Sequence, residues 1–149
     1  MEKKEILLVE DNPDDEMLTL RAFEKSRVAN RIVVVRDGVE ALDYLFARGA
    51  YAKRVKEEVP QVVLLDIKLP KIDGLGVLRA IRNDETTRLV PVVILASSRE
   101  EQDLVRSYDL GANSYVCKPV DFNNLAEAAH QLGLYWILLN QVPPVRRGI

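Results

Sequence analysis

The sequence predicts an α/β fold in which five parallel strands form one doubly wound sheet. Strand-like apolar runs alternate along the chain with helix-like segments, which is the pattern of a parallel sheet covered on both faces. The runs are apolar at successive positions rather than at alternate ones, as expected when both faces of a strand are buried. A length of 149 residues is enough for one domain with a substantial core.

The strands follow in order along the chain, each as a short apolar run. They are predicted near residues 5–10, 31–35, 61–65, 91–96 and 114–117. Of the two common strand orders in doubly wound sheets, 2-1-3-4-5 (the flavodoxin-like order) would place the first strand beside the third.

The helices follow in the same way, near residues 13–26, 38–47, 74–83, 99–110 and 121–139. Capping signals mark where three of them begin, namely Asn12 before Pro13, Asp37 with Glu40, and Ser98 with Glu101. One apolar face is predicted at Val39, Leu42 and Phe46. We therefore expect one domain over residues 1–139, followed by a C-terminal tail over residues 140–149.

The composition indicates a cytoplasmic globular protein. A net charge of -2 gives no argument for a nucleic-acid or membrane partner. The longest uninterrupted apolar stretch begins at Leu132 and is far shorter than the roughly 20 residues of a membrane span. Cys117 is the single cysteine, so it is expected to be a reduced, small core residue. His130, the single histidine, has no partner at metal-ligand spacing.

Charged residues follow three of the predicted strands. Glu10 and Asp11 follow the first strand, Asp66 ends the third, and Lys118 follows the fifth. With strand order 2-1-3-4-5 the three carboxylates converge at the carboxyl edge of the sheet, where open parallel sheets bind ligands. Two carboxylates about 4 Å apart repel by roughly 4 kcal/mol at an effective dielectric near 20. The sequence therefore predicts a divalent cation there, and an all-oxygen site favours Mg²⁺ over zinc.

A carboxylate beside such a cation can attack phosphorus and form an aspartyl phosphate. Asp66 is the natural nucleophile, because Glu10 and Asp11 would hold the metal. Lys118 and the metal would neutralise charge on the transferring group.

With these residues in place, the chain resembles a response-regulator receiver domain over nearly its full length. The motifs that carry the resemblance are Leu8-Val9-Glu10-Asp11-Asn12, Leu64-Leu65-Asp66-Ile67-Lys68-Leu69-Pro70, Asp73-Gly74, Pro91-Val92-Val93-Ile94-Leu95 and Tyr115-Val116-Cys117-Lys118-Pro119. The resemblance implies a two-component signalling regulator that accepts a phosphoryl group on Asp66 from a histidine kinase and is not itself an enzyme.

The resemblance also implies roles for individual residues. Glu10, Asp11, Asp66 and the backbone carbonyl of Lys68 would coordinate Mg²⁺. In such domains the lysine at the position of Lys118 contacts the phosphoryl group, the Lys118–Pro119 bond is usually cis, and the aromatic residue at Tyr115 turns inward on activation.

Ala96 departs from the family pattern, which usually has Thr or Ser at the end of the fourth strand. Alanine cannot donate a hydrogen bond to a phosphoryl oxygen, and a bond of that kind is worth about 1.5–3 kcal/mol. Ser97 or Ser98 could replace the hydroxyl, or Ser98 could simply cap the next helix. The alternative function is therefore an interaction module of receiver fold that responds weakly to phosphate. A phosphatase is disfavoured, because Lys68 stands where such enzymes usually carry a second Asp.

A narrower resemblance is to single-domain regulators paired with phytochrome-type kinases. Such proteins often dimerise through the fourth and fifth helices and the strand between them. The last predicted helix has an apolar stripe formed by Leu125, Ala128, Ala129, Leu132, Trp136 and Leu139. Leu134, Ile137 and Leu138 lie off this stripe, and this second apolar face suits a homodimer contact. We expect a regulator with no output domain that either signals through protein contacts or passes the phosphoryl group onward in a phosphorelay.

Overall fold

Five parallel strands form one sheet in the part of the chain that the structure describes, residues 5–25, 30–107 and 110–131 of a computed structural model. The sheet has the order β2-β1-β3-β4-β5. The strands are β1 (Glu5–Val9), β2 (Arg31–Val35), β3 (Val62–Asp66), β4 (Val92–Ala96) and β5 (Ser114–Cys117). The predicted fold class and strand order are confirmed.

A helix follows each strand. They are α1 (Pro13–Lys25), α2 (Gly38–Leu45), α3 (Gly74–Arg82), α4 (Arg99–Ser107) and α5 (Phe122–Gln131), and a short 3-10 helix covers Gly49–Tyr51. Residues 132–149 lie outside the described part, and with them the predicted end of the last helix, the tail, and the proposed dimer face at Leu134, Ile137 and Leu138. Among the described residues, no helix combines the length and the apolar character of a membrane span.

The predicted caps hold the helix starts. Asn12 Oδ1 accepts hydrogen bonds from the backbone N–H groups of Asp14 and Asp15, at 2.8 and 3.0 Å. In the same way Asp37 caps α2 through the N–H of Glu40, and Ser98 Oγ accepts from the N–H of Glu101 at 3.2 Å. These bonds satisfy amide groups that have no partner within their helix.

The core has two layers, one on each face of the sheet. In β1, Leu7 and Val9 belong to the layer that α2, α3 and α4 cover, while Ile6 and Leu8 belong to the layer that α1 and α5 cover. Neighbouring residues of a strand point to opposite faces, so both layers require apolar side chains. This explains why β3 and β4 are buried at every position.

Two of the predicted core positions are wrong. Val39 is exposed, because Ala41, Leu42 and Leu45 form the inward face of α2. This face is rotated about the helix axis from the predicted one. Cys117 is exposed as well. It is the last residue of the edge strand β5, in which alternate residues are buried and Val116 is the last buried one.

The two-layer core gives a prediction about stability. Leu78 on α3 is fully buried, whereas Leu89, in the following connection, is 79% exposed. We expect Leu78→Ala to lower the free energy of unfolding by about 2–5 kcal/mol, since it removes a core contact and leaves a cavity. Leu89→Ala is the matched control and should change it by less than about 0.5 kcal/mol. Urea unfolding measures both, and equal losses would contradict the described packing.

Candidate functional site

The carboxyl ends of β1, β3 and β5 carry the predicted charged residues. Val9 of β1 is in register with Leu65 of β3, so the next residues, Glu10 and Asp66, lie side by side at the sheet edge. Lys118 follows β5 and reaches back across this edge. The site lies where β1 and β3 are neighbours although β2 separates them in sequence, which is the topological switch point of the sheet.

Three carboxylates meet there. Glu10 is fully buried, Asp66 is 3% exposed, and Asp11 is exposed. One oxygen from each residue lies within 4.8 Å of the others. Such a group of oxygen ligands, partly open to solvent, suits a hard cation that keeps some of its water, as Mg²⁺ does. The residues therefore fit the predicted metal.

Lys118 supplies the positive charge of the site. Its Nζ lies 2.8 Å from Asp66 Oδ2, 3.0 Å from Asp15 Oδ2 and 3.4 Å from Glu10 Oε1. Burial by itself lowers the pKa of Lys118, but the hydrogen bonds to Asp66 and Asp15 and the charge of Glu10 raise it above its usual value. Lys118 is therefore almost entirely in its cationic form near neutral pH.

Glu10 is the residue whose protonation the site changes most clearly. Burial, a hydrogen bond shared with Asp66 and the negative charge of Asp66 together raise the pKa of Glu10 to about 8. Lys118 and the N–H of Asn12 act in the opposite direction without cancelling this effect. Near neutral pH the metal-free site therefore keeps a proton on Glu10, and a bound cation would take the place of that proton.

The backbone after β3 fixes the position of Asp66. The N–H of Lys68 donates to Asp66 Oδ1 at 3.2 Å, and the N–H of Gly74 donates to the carbonyl of Ile67 at 2.8 Å. A Cβ at position 74 would lie only 2.4 Å from the carbonyl oxygen of Asp66. Only glycine lets α3 begin this close to the site.

The predicted cis peptide bond is present between Lys118 and Pro119. The N–H of Lys118 donates to the carbonyl of Ala96 at 2.8 Å, so the end of β4 fixes the backbone that carries the lysine.

The predicted switch residues surround this point. Ala96 is fully buried, and Tyr115 is half-buried with the guanidinium of Arg106 4.5 Å from its ring centre. Ser97 is exposed and its N–H donates to Glu101 Oε1 at 2.8 Å. Their roles in switching, and that of Pro119, stay predictions.

Lys68 and His130 have surface side chains. The ammonium of Lys68 is directed away from the carboxylates to Glu101 Oε2 at 3.1 Å, and its side chain is 81% exposed. Its backbone carbonyl as a metal ligand stays a prediction. His130 is exposed near the end of α5.

Asp15 belongs to the site, although the sequence pattern does not predict it. It lies in the first turn of α1, and acidic residues are common there without any further role. The sequence carried no signal that separates Asp15 from Asp14 and Glu16, the other acidic residues of that turn.

This arrangement favours group transfer to a carboxylate. The carboxylate of Asp66 is desolvated and held by two donors, Lys118 and the N–H of Lys68. Positive charge is fixed beside the atom that would attack, so little reorganisation is needed when charge builds up on an incoming group.

Comparison with known proteins identifies relatives of this chain. The family profile described as "Response regulator receiver domain" matches residues 6–130. The chain is 42% identical to the "Probable methanogenesis regulatory protein FilR2" of Methanothrix harundinacea, over 93% of this chain and 86% of that protein. It is 33% identical to "Response regulator Rcp1" of Synechocystis sp., over 90% of this chain and 89% of that protein.

Solved structures show the same fold. The bacteriophytochrome response regulator AtBRR is 57% identical, with a TM-score of 0.87, over 95% of this chain and 100% of that chain. The phosphorylated cyanobacterial phytochrome response regulator RcpA is 39% identical with a TM-score of 0.72, over 96% and 99%. The Mn²⁺-bound form of Rcp1 is 33% identical with a TM-score of 0.72, over 94% and 97%.

The proton on Glu10 gives a prediction about pH. The pKa of Glu10 is about 8 in the folded metal-free protein and 4.5 in an ordinary glutamate, so between these values the folded chain holds the extra proton. The free energy of unfolding should therefore fall as the pH rises from about 5 to about 8, with a slope of up to about 1.4 kcal/mol per pH unit. Urea unfolding in the presence of a chelator measures this slope.

Glu10→Gln should flatten that slope, because glutamine has no proton to lose. Glu24→Gln, on the exposed part of α1, is the control and should keep the native slope. A native slope that Glu10→Gln leaves unchanged would rule out Glu10 as its source.

Proposed function

We propose that this chain, which belongs to the response regulator receiver domain family, uses Asp66 to accept the phosphoryl group in two-component signalling. The observation that carries the proposal is the contact of 2.8 Å between Asp66 Oδ2 and Lys118 Nζ, beside Glu10 and Asp11. A buried nucleophile, a fixed cation and a set of metal-binding oxygens are the parts that phosphoryl transfer to a carboxylate requires.

The reaction transfers a phosphoryl group from a phosphohistidine of the kinase. A carboxylate oxygen of Asp66 attacks phosphorus, the P–N bond breaks, and its electron pair leaves with the imidazole nitrogen. The product is an acyl phosphate on Asp66. Lys118 offsets the charge on the phosphoryl oxygens, and the N–H of Lys68 keeps the attacking carboxylate oriented.

The proposed cofactor is Mg²⁺, held by Glu10, Asp11, Asp66 and the carbonyl of Lys68. When bound, it supplies the positive charge that lets the phosphoryl group approach several carboxylates. The all-oxygen ligand set supports this choice. The Mn²⁺-bound form of Rcp1 supports it as well.

The proposed partner is a histidine kinase of the bacteriophytochrome type. The support is the 57% identity to a bacteriophytochrome response regulator over 95% of this chain. We also propose a cytoplasmic location, a homodimer that forms through the fourth and fifth helices, and no nucleic-acid partner.

We further propose that the chain does not turn over small phosphate esters. The residue two positions after Asp66 is Lys68, and its side chain pairs with Glu101 rather than facing the carboxylates. No general acid is therefore provided at this position. The phosphorylated form of RcpA favours a phosphate-responsive regulator over the alternative interaction module.

The first experiment labels Asp66 directly. Acetyl phosphate with Mg²⁺ should add one phosphoryl group, located at Asp66 by mass spectrometry of the intact chain and its peptides. Asp66→Asn should remove the label. Asp103→Asn, on the exposed surface of α4, should keep it. A folded native chain that gains no mass under these conditions would falsify the phosphoacceptor role.

The second experiment separates the regulator from the interaction module. Beryllium fluoride imitates the phosphoryl group on Asp66, and analytical ultracentrifugation measures the dimer dissociation constant with and without it. We expect a shift of at least tenfold, about 1.4 kcal/mol. Ala96→Ser should enlarge the shift because it adds a hydroxyl at the end of β4, and Asp66→Asn should abolish it. An unchanged constant for the native chain supports the interaction module.

A further inference from the structure

Three carboxylates share the ammonium of Lys118, and they differ in what the proposed reaction does to them. Asp66 becomes an acyl phosphate when it takes the phosphoryl group, so the charge that it presents to Lys118 changes. Glu10 would be engaged by the metal ion and already has the longest of the three contacts, 3.4 Å. Asp15, at 3.0 Å, is the partner that neither step uses.

We propose that Asp15 is a positioning residue that holds Lys118 at the site throughout the phosphorylation cycle. The inference rests on the proposed function, since it concerns the state in which Asp66 carries the phosphoryl group. Asp15 would act through Lys118 and not touch the phosphoryl group itself. Asp15 Oδ2 keeps Lys118 Nζ in place when the hydrogen bond between Nζ and Asp66 is rearranged.

Asp15 is well placed for this role, because its own position is fixed. Its N–H is bound by the helix cap at Asn12 Oδ1, 3.0 Å away, so the carboxylate is presented from the rigid first turn of α1. Its side chain is 26% exposed and that of Lys118 is 11% exposed, so water screens the pair less than it screens a surface ion pair.

The need for such a residue follows from the chemistry of lysine. The ammonium sits on a flexible stem of four carbons, and each contact that it loses increases the number of conformations that it can adopt. Lys118 has three N–H donors and three carboxylate partners within 3.4 Å. Without the contact to Asp15, the Lys118 side chain could move away from the phosphoryl oxygens during the transfer. Misplacement of a charge-stabilising group slows such reactions steeply.

Asp14 provides a matched control. It stands in the same turn of α1 and carries the same charge, but it is exposed and is not among the described ion-pair partners of Lys118. The backbone N–H of Asp14 donates to Asn12 Oδ1, as the N–H of Asp15 does. Asp14→Ala therefore reproduces the loss of charge at the helix start without touching the lysine.

The test compares initial rates of Asp66 labelling by acetyl phosphate at saturating Mg²⁺ in the full chain. Asp15→Ala should lower the rate by about tenfold. Asp15→Asn should stay within about twofold of the native rate, because its Oδ1 still accepts a hydrogen bond from Nζ. Asp14→Ala should equal the native chain, and melting temperatures establish that every variant is folded. A native rate for Asp15→Ala, or an equal loss in Asp14→Ala or in Asp15→Asn, overturns the inference.

A second measurement decides the inference even if no variant is phosphorylated, which would defeat the proposed function alone. An amine-reactive ester modifies Lys118 only when its amine is neutral and accessible, and peptide mass spectrometry measures the rate. Asp15→Ala should speed the modification several-fold, since it removes the contact of 3.0 Å that holds Nζ and so makes the amine more accessible. Asp14→Ala should leave the rate at its native value. Equal rates in Asp15→Ala and the native chain would show that Asp15 does not hold Lys118.

Discussion

The structure depends on one electrostatic constraint, the concentration of acidic groups around a single lysine at the edge of the sheet. Glu10, Asp15 and Asp66 contact Lys118, and Asp11 lies beside Glu10 and Asp66, so the fully ionised site would carry a formal charge of -3. Carboxylates this close cannot all be ionised cheaply in a poorly hydrated place. The raised pKa of Glu10, about 8, is the response of the metal-free protein: a proton reduces the charge that a cation would otherwise offset. The site can therefore hold either a proton on Glu10 or a bound metal cation.

The fold makes this concentration possible because the rest of the sheet leaves the polar groups no other position. Both faces of β1 and β3 are packed against apolar layers, so a carboxylate can leave the core only at a strand end. The strand order then makes the ends of β1 and β3 neighbours, and their register places Glu10 beside Asp66. Gly74 lets the following helix start directly beneath them. A rigid apolar core thus holds the site with little freedom to relax, which favours preorganised electrostatics.

Much of this could be predicted from the sequence, because it depends on strand ends. An apolar run that stops at Asp66 or at Lys118 marks a sheet edge without any knowledge of side-chain orientation, and the spacing of the caps marks the helix starts. The features that the sequence did not predict depend on how each helix or strand is rotated about its own axis. Whether Val39 faces inward, whether Asp15 reaches the lysine, and whether Cys117 is covered are set by how each element packs on its neighbours. Local pattern gives the period of a helix or strand, but tertiary packing selects which face is turned inward.

The missing hydroxyl at Ala96 shows how strongly neighbouring contacts limit a replacement. Ser98 Oγ accepts from the N–H of Glu101 as the cap of α4, and Glu101 also accepts from the N–H of Ser97 and from Lys68. Moving Ser98 toward the carboxylates would give up this cap, at a cost of about 1 kcal/mol, and would disturb the contacts that Glu101 makes. Ser97 is exposed and its side chain is not the capping group, so it could turn with a smaller change in the loop. The contacts of α4 therefore favour Ser97 over Ser98 as the replacement.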